Sequence, residues 1–207
     1  MEKYSLSARL KIFANKKFGI PIDFTCIPGY FNGELLYKKA VDMFPDNSRF
    51  VEVGCLFGRS TCFMAQQLEK KHKKIRFDVI DTFEGSPEHS PLLQGKSFYE
   101  TFCRYMRAAG VLDMLTVKQA RSEEAAHDYS DGSLDFVYID AAHDYESVRR
   151  DIDAWLPKVK NGGILSGDDY IPSWQGVIDA VNEKLGRDHL ELIPYAQWSY
   201  RKSETFR

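Results

Sequence analysis

The sequence predicts an α/β fold: a doubly wound and mostly parallel sheet with helices on both faces. The first reason is that strand-like apolar runs and helical patterns alternate at least five times along the chain. The second is size, since 207 residues make one such domain and not comfortably two. The third is composition, because 43% apolar and 28% charged residues are typical of a domain with a hydrophobic core.

Composition and charge also exclude several classes of protein. A net charge of −2 argues against a nucleic-acid binder, which needs a basic face to neutralise phosphates. No apolar run is long enough to span a membrane, and residues 1–19 lack the apolar segment of a secretory signal. The cysteines are scattered without a C-x-x-C pair, which indicates reduced thiols in or near the core: Cys26, Cys55, Cys62 and Cys103. We therefore expect a cytoplasmic protein with no nucleic-acid or membrane partner.

The predicted elements start after residues 1–28, which show little periodicity. Residues 33–44 place apolar side chains at helical spacing. The run RFVEV at residues 49–53 predicts a buried strand that stops at Gly54. We expect the next strands at residues 76–80 and 114–118, and helices at 61–68, 98–109 and 122–127.

The second half of the chain continues the alternation. Residues 134–139 predict the fourth strand, which stops at Asp140. Residues 145–159 carry apolar side chains on one helical face, and the pair Gly162-Gly163 is expected to cap that helix. A fifth strand at 164–166, a helix at 174–185 and two strands within 189–201 complete the set. Ligands of such sheets bind outside the carboxyl ends of the strands, so the residues after each strand are the candidates for function.

The strongest local signal is the segment E-V-G-C-L-F-G-R-S at residues 52–60: a strand end, a glycine turn and a helix start. It lacks the dinucleotide fingerprint, because Leu56 stands where the second glycine belongs. It is not a P-loop, because three residues separate Gly54 from Gly58 and no lysine follows. One interpretation is a turn in which Gly54 lets the backbone approach a ligand, with Ser60 and the N–H groups of the helix start facing it. The alternative is a plain strand-to-helix turn.

The second strand is followed by an acidic residue and a hydroxyl, Asp81 and Thr82. A carboxylate at this place can accept hydrogen bonds from both hydroxyls of a ribose, the geometry that nucleoside cofactors need. Alternatively, both residues favour a helix N-cap. In combination with the glycine turn, the pair favours nucleoside binding.

Acidic residues also follow the fourth and fifth strands, as Asp140 and as the pair Asp168-Asp169. Neighbouring strands lie about 4.8 Å apart, so three carboxylates at adjacent strand ends would repel each other unless a cation joined them. A divalent ion with oxygen ligands, Mg²⁺ by preference, is the expected partner. Alternatively, Asp168 and Asp169 cap a following turn. His143 stands beside this group and could take a proton from a substrate hydroxyl, the alternative being a loop histidine or a helix cap.

In this order the motifs resemble those of class I S-adenosylmethionine-dependent methyltransferases. More narrowly, the chain is similar to the small cation-dependent O-methyltransferases, such as the catechol and macrocin-type enzymes. The resemblance covers roughly residues 50–170. It rests on E-x-G-x-x-x-G-x-S, an acidic residue after the second strand, serine after the third, Asp after the fourth and Asp-Asp after the fifth. It implies a Rossmann-like, mostly parallel sheet of seven strands with an antiparallel C-terminal strand.

The resemblance also implies which residues bind the cofactor and a metal ion. For S-adenosylmethionine they are Glu52, Gly54, Gly58 and Ser60 at the methionine end, Asp81 with Thr82 at the ribose, Ser122 near the adenine, and Asp140. The implied ligands of Mg²⁺, or of another divalent cation, are Asp140, Asp168 and Asp169. Two positions depart from the catechol enzymes, which have Asn in place of Asp169 and a general-base Lys in place of His143. His143 is the implied catalytic residue.

The implied function is metal-assisted methyl transfer to a hydroxyl of a small molecule, such as a sugar, a catechol-like compound or another natural product. A metal-independent N- or C-methyltransferase and a non-catalytic nucleoside-binding module remain alternatives. We expect a single domain over residues 1–207, in which residues 1–32 form a cap or lid and 33–207 the core. The loop at residues 84–95 and Trp174 are expected to shape the acceptor pocket. Since dimers are common among similar enzymes, a homodimer is compatible with the resemblance.

Overall fold

The computed structural model describes residues 5–85 and 97–203. Its strands are β1 (Arg49–Val53), β2 (Arg76–Asp81), β3 (Leu115–Gln119), β4 (Leu134–Ile139), β5 (Val159–Gly167), β6 (Leu190–Ile193) and β7 (Gln197–Arg201). In this part of the chain they form one seven-stranded sheet in the order β3-β2-β1-β4-β5-β7-β6. The first five strands pair in parallel, and β7 pairs antiparallel with both β5 and β6. The predicted fold class is therefore confirmed.

Helices cover both faces of the sheet. They are α1 (Leu6–Phe18), α2 (Glu34–Met43), α3 (Arg59–Lys70), α4 (Phe98–Ala108), α5 (Ser122–Ala126), α6 (Tyr145–Trp155) and α7 (Gln175–Leu185). Helices α1 to α4 share one hydrophobic core with Phe50 and Phe136 of the sheet. Helices α5 to α7 share the other with Val51 and Val137. Successive strand residues thus alternate between two cores, as a sheet covered on both faces requires.

The predicted cap at Gly162-Gly163 is wrong. Helix α6 ends at Trp155 and a 3-10 turn, Leu156–Lys158, follows it. The glycine pair lies inside β5, which is longer than predicted because it starts at Val159. The register between β4 and β5 shifts at this point, and Gly162 adopts a φ of 79°, so the glycines form a bulge in the strand.

Helix α1 is absent from the sequence prediction. Its apolar side chains Leu6, Leu10 and Phe13 are exposed, and Ala8 is its buried residue. A helix whose apolar residues face away from the core lacks the pattern by which buried helices are recognised.

The cysteine and membrane predictions concern residues that the structure describes. All four cysteines are free and buried, as expected of reduced core thiols. None of the helices within residues 5–85 and 97–203 combines the length and the apolar character needed to cross a bilayer.

Candidate functional site

The carboxyl ends of β2, β1, β4 and β5 lie side by side at one edge of the sheet. The backbone N–H groups of Gly54, Asp140 and Asp168 each donate a hydrogen bond to a carbonyl near the end of the neighbouring strand, at 2.8, 2.8 and 3.2 Å. These bonds place the segments after β1, β4 and β5 next to one another. The crevice expected outside such strand ends therefore collects the acidic residues identified in the sequence.

The glycine turn after β1 is packed against the end of β4. Gly54 has a φ of 85°, and a Cβ atom there would lie 2.0 Å from the carbonyl oxygen of Asp140. Gly58, the N-cap residue just before α3, has a φ of 86°, and a Cβ atom there would lie 2.6 Å from Met106 and 2.7 Å from Phe102. Close contacts within the protein already require glycine at both positions, a reason that sequence spacing does not reveal.

The carboxylate of Asp81 holds the glycine turn. Its Oδ2 accepts hydrogen bonds from the backbone N–H groups of Cys55, at 2.8 Å, and Leu56, at 3.0 Å. Its Oδ1 accepts from the N–H of Phe83 at 2.7 Å. A carboxylate offers about four acceptor positions, so the predicted ribose contact has room on Oδ1.

Glu52 lies in β1, two residues before Gly54 of the glycine turn, and its side chain is fully buried. The hydroxyl of Tyr37 donates to its Oε1 at 2.8 Å, and the hydroxyl of Thr61 donates to its Oε2. Burial raises the pKa of Glu52 to about 7, although the hydroxyls of Ser60, Thr61 and Tyr37 oppose that rise. Glu52 and the buried Ser60 therefore support the turn from inside the protein.

Thr82 and Ser122 both use their side chains within the protein. The hydroxyl of Thr82 accepts from the N–H of Glu84 at 3.3 Å. The hydroxyl of Ser122, at the start of α5, accepts from the indole N–H of Trp155 at 2.9 Å. Thr82 nevertheless directly follows β2, which ends at Asp81, and Ser122 follows the neighbouring strand β3, where the resemblance places the ribose and the adenine.

Three of the predicted chemical groups converge beside the glycine turn. Asp140, His143 and Asp169 each offer a ligand atom within 4.8 Å of the others. The Nε2 atom of His143 lies 2.7 Å from Oδ2 of Asp169. Burial, and then the carboxylates of Asp168 and Asp169, raise the pKa of Asp140 well above its ordinary value. A bound cation would relieve the repulsion that contributes to this rise.

Asp168 lies next to the group of Asp140, His143 and Asp169 but is not part of it. The predicted metal ligands included Asp168 and did not include His143. Its Oδ1 accepts hydrogen bonds from the N–H of Asp169 at 2.8 Å and from Nε2 of Gln197 at 3.1 Å. Gln197 comes from β7 and is 1% exposed. Nothing in the sequence singles it out, because it reads as one residue of an ordinary strand.

Arg59 connects the N-terminal segment to the glycine turn. Its Nη1 donates to the carbonyl oxygens of Ile27, at 3.2 Å, and Gly29, at 2.8 Å. A Cβ atom on Gly29 would lie 3.9 Å from the Leu56 side chain in the turn. The segment that the sequence suggested as a lid therefore lies against the turn. The sequence indicated only that the residue after Gly58 is not the lysine of a P-loop, and this role of Arg59 was missed.

Trp174 lies beside His143 at the edge of the crevice. Its ring stacks on His143 with centroids 4.4 Å apart and an interplanar angle of 26°. Trp174 is 42% exposed. Most of the other predicted pocket loop, residues 86–95, lies outside the described residues.

Residues 51–170, more than half of the chain, match the model of a family described as a methyltransferase domain. A curated relative, the uncharacterized protein y4gI of Sinorhizobium fredii, is 25% identical over 120 residues, or 56% of this chain. That match spans 12% of the length of the relative.

Solved structures share the architecture. The O-methyltransferase NovP has a TM-score of 0.64 at 19% identity, with 83% of this chain and 79% of NovP covered. CalS11, a TDP-rhamnose 3′-O-methyltransferase of calicheamicin biosynthesis, has a TM-score of 0.56 at 20% identity, with 82% of this chain and 76% of CalS11 covered. These likenesses show a common fold.

Proposed function

The chain belongs to the methyltransferase-domain family and has the class I fold, and from that premise we propose that it transfers a methyl group from S-adenosylmethionine to a hydroxyl of a small molecule. One observation carries the proposal. The glycine turn held by Asp81 touches the end of β4, where Asp140, His143 and Asp169 converge. A nucleoside site and an acid–base site thereby share one crevice.

The cofactor half of the crevice consists of the turn and Asp81. The first backbone N–H groups of α3 point out of the helix without intrahelical partners, which suits the polar methionine end of the cofactor. The remaining acceptor position on Asp81 suits a ribose hydroxyl. S-adenosylmethionine supplies an electrophilic methyl group on a sulfonium centre. The protein's contribution is alignment, because holding two reactants in line lowers the barrier most.

The donor set beside the turn fits a divalent cation. Asp140 and Asp169 offer carboxylate oxygens close enough together to share one ion, and the imidazole of His143, which is proposed below as the base, lies in the same 4.8 Å group. Mg²⁺ prefers oxygen donors, and both proposed ligands are carboxylates, so Mg²⁺ is the proposed ion. A cation there would lower the pKa of an acceptor hydroxyl. The repulsion that raises the pKa of Asp140 also favours cation binding.

His143 is the proposed base. Its pairing with Asp169 and its stacking on Trp174 restrict the orientation of the imidazole. A histidine near neutral pH can accept the proton of the hydroxyl, and the carboxylate of Asp169 stabilises the imidazolium that results. The solved neighbours NovP and CalS11 are described as O-methyltransferases, which favours a hydroxyl as the methyl acceptor.

The test is a methyl-transfer assay with S-adenosylmethionine and a panel of sugars, catechols and other hydroxyl compounds, with EDTA and then with excess Mg²⁺. We expect transfer that EDTA abolishes and Mg²⁺ restores. Methyl transfer that continues in EDTA would refute the requirement for a metal ion. Binding of S-adenosylhomocysteine without transfer to any hydroxyl would overturn the enzymatic proposal and favour a nucleoside-binding module.

A further inference from the structure

The side chain of Gln197 is fixed by two acceptors. Its Nε2 donates to Oδ1 of Asp168 at 3.1 Å and to the carbonyl oxygen of Tyr195 at 2.7 Å. Both partners accept only, so the nitrogen of the amide must face them and the side chain cannot be flipped. Gln197 is 1% exposed, so packing also restrains it.

The fold explains how a residue near the end of the chain reaches Asp168. Strand β7 runs antiparallel to β5, and Gly167 pairs with Trp198. The residue before Trp198 therefore stands opposite the residue after Gly167. This arrangement sets Gln197 against Asp168 at the carboxyl end of β5.

The tip of the β6–β7 hairpin is strained at the same place. Tyr195 and Ala196 have φ angles of 70° and 78°, and Asp169 has 61°. Side chains other than glycine rarely adopt such angles, which cost of order 1–3 kcal/mol each. The carbonyl of Ala196 accepts from the N–H of Tyr170 at 2.8 Å, so the two strained segments are tied together. Backbone strain that persists in this way is concentrated at functional sites.

A buried polar group of Gln197 also remains unpaired. Its Oε1 has no hydrogen-bond partner among the described residues. Burying an unpaired amide oxygen is unfavourable, so an apolar residue would suit the core better if packing alone decided this position. The presence of an amide at this position is therefore best explained by the hydrogen bond that its nitrogen donates to Asp168.

We propose that Gln197 is a positioning residue, which together with the hairpin tip sets the orientation of the Asp168 carboxylate. The N–H of Asp169 and Nε2 of Gln197 both bind Oδ1, which directs Oδ2 away from these donors. Asp168 lies outside the ligand group of Asp140, His143 and Asp169 but lines the same small cavity. Mg²⁺ keeps several waters in protein sites, so Asp168 would hold the ion through one of them. Partners that orient metal-binding residues commonly affect metal affinity or activity by 10- to 100-fold. This inference rests on the proposed function of the crevice.

The test is a double-mutant cycle between Gln197→Leu and Asp168→Asn, read out as the affinity of the protein for Mn²⁺ alone. Mn²⁺ shares the oxygen preference of Mg²⁺ and can be followed by paramagnetic resonance. We expect Gln197→Leu to weaken Mn²⁺ binding about tenfold and to leave the affinity for S-adenosylhomocysteine unchanged. In the Asp168→Asn background the same substitution should have no further effect, because Gln197 acts through Asp168.

Two controls separate this role from a structural one. Ser199→Ala alters a buried polar residue two positions along the same strand, and we expect wild-type Mn²⁺ affinity. Gln197→Met keeps the approximate size of the side chain, lacks the donor and adds no charge, so it should weaken Mn²⁺ binding even where Gln197→Leu fails to fold. Folded Gln197 variants with wild-type affinity, or effects that simply add in the double variant, would overturn the proposal. If the wild-type protein binds no Mn²⁺, the proposed metal is wrong, and the same cycle on kcat decides whether Gln197 acts through Asp168.

Discussion

The carboxylate of Asp81 accepts a hydrogen bond from the backbone N–H of Cys55 at 2.8 Å, which ties the end of β2 to the glycine turn after β1. The same oxygen accepts from Leu56. Asp81 therefore has two tasks in the proposed function: it shapes the turn and it offers an acceptor to the ribose.

Asp81→Ala should remove both contributions to cofactor binding. Hydrogen bonds to a charged group contribute about 1.5–3 kcal/mol, so the affinity for S-adenosylhomocysteine should fall by about 10- to 100-fold or more. Calorimetric titration measures the change. Asp113→Asn, at an exposed carboxylate, should bind like the wild type. Unchanged binding by folded Asp81→Ala would refute the ribose assignment.

Arg59→Ala should loosen the N-terminal segment. Arg59 donates to the carbonyls of Ile27 and Gly29, and its loss leaves both without this partner. We expect faster amide hydrogen exchange across residues 24–33 and weaker binding of S-adenosylhomocysteine. Arg104→Ala, at an exposed arginine of α4, should change neither quantity. Wild-type exchange rates in Arg59→Ala would mean that Arg59 does not hold the segment.

Glu52→Gln should change how stability depends on pH. Burial raises the pKa of Glu52 from 4.5 to about 7 in the folded state, so the folded protein holds this proton more tightly than the unfolded chain. The stabilisation that comes from protonated Glu52 is complete below its pKa in the unfolded chain. It is lost as pH rises through its pKa in the folded protein. The loss is on the order of 3 kcal/mol.

Urea unfolding between about pH 5 and about pH 8 tests this prediction, since that range covers most of the shift. The wild type should lose free energy of unfolding as pH rises, and Glu52→Gln should lose clearly less. Glu69→Gln, at an exposed position, should keep the wild-type slope. An identical slope in Glu52→Gln would show that Glu52 is not the group responsible.

Asp168→Ala should separate cofactor binding from turnover. Asp168 lies beside Asp140 and Asp169 and follows β5, which β4 separates from β1 and its glycine turn, so S-adenosylhomocysteine should bind with wild-type affinity. Methyl transfer should fall below detection, because the crevice loses one of its carboxylates. Asp188→Ala, at an exposed carboxylate, serves as the control. Turnover retained in Asp168→Ala would exclude a role in metal binding.

Local sequence patterns predicted strands β1 to β4 well. Strands β1, β2 and β4 are rich in apolar residues and end at or next to Gly54, Asp81 and Asp140, and β3 lies within one residue of its predicted bounds. The ends of the predicted strands also identified the candidate site residues, because the residues that follow parallel strands lie at one edge of the sheet. Asp140, His143 and Asp169 were found in this way, and the structure brings them together.

The remaining features depend on contacts between distant parts of the chain. The pair Gly162-Gly163 reads locally as a helix cap, and its place in β5 follows from pairing with β4. Gln197 and Arg59 act through partners 29 and about 30 residues away in sequence. No local period or motif records such contacts. The role of Asp81 in holding the turn is hidden for the same reason.

We propose that one crevice holds a nucleoside next to an acid–base group, and a crystal structure with S-adenosylhomocysteine and Mn²⁺ tests this arrangement most directly. We predict that the ribose hydroxyls lie within hydrogen-bond distance of Asp81 and that the ion contacts Asp140 and Asp169. A ligand found on another face of the protein, or a fully occupied nucleoside with its ribose turned away from Asp81, would contradict the proposed placement of the nucleoside.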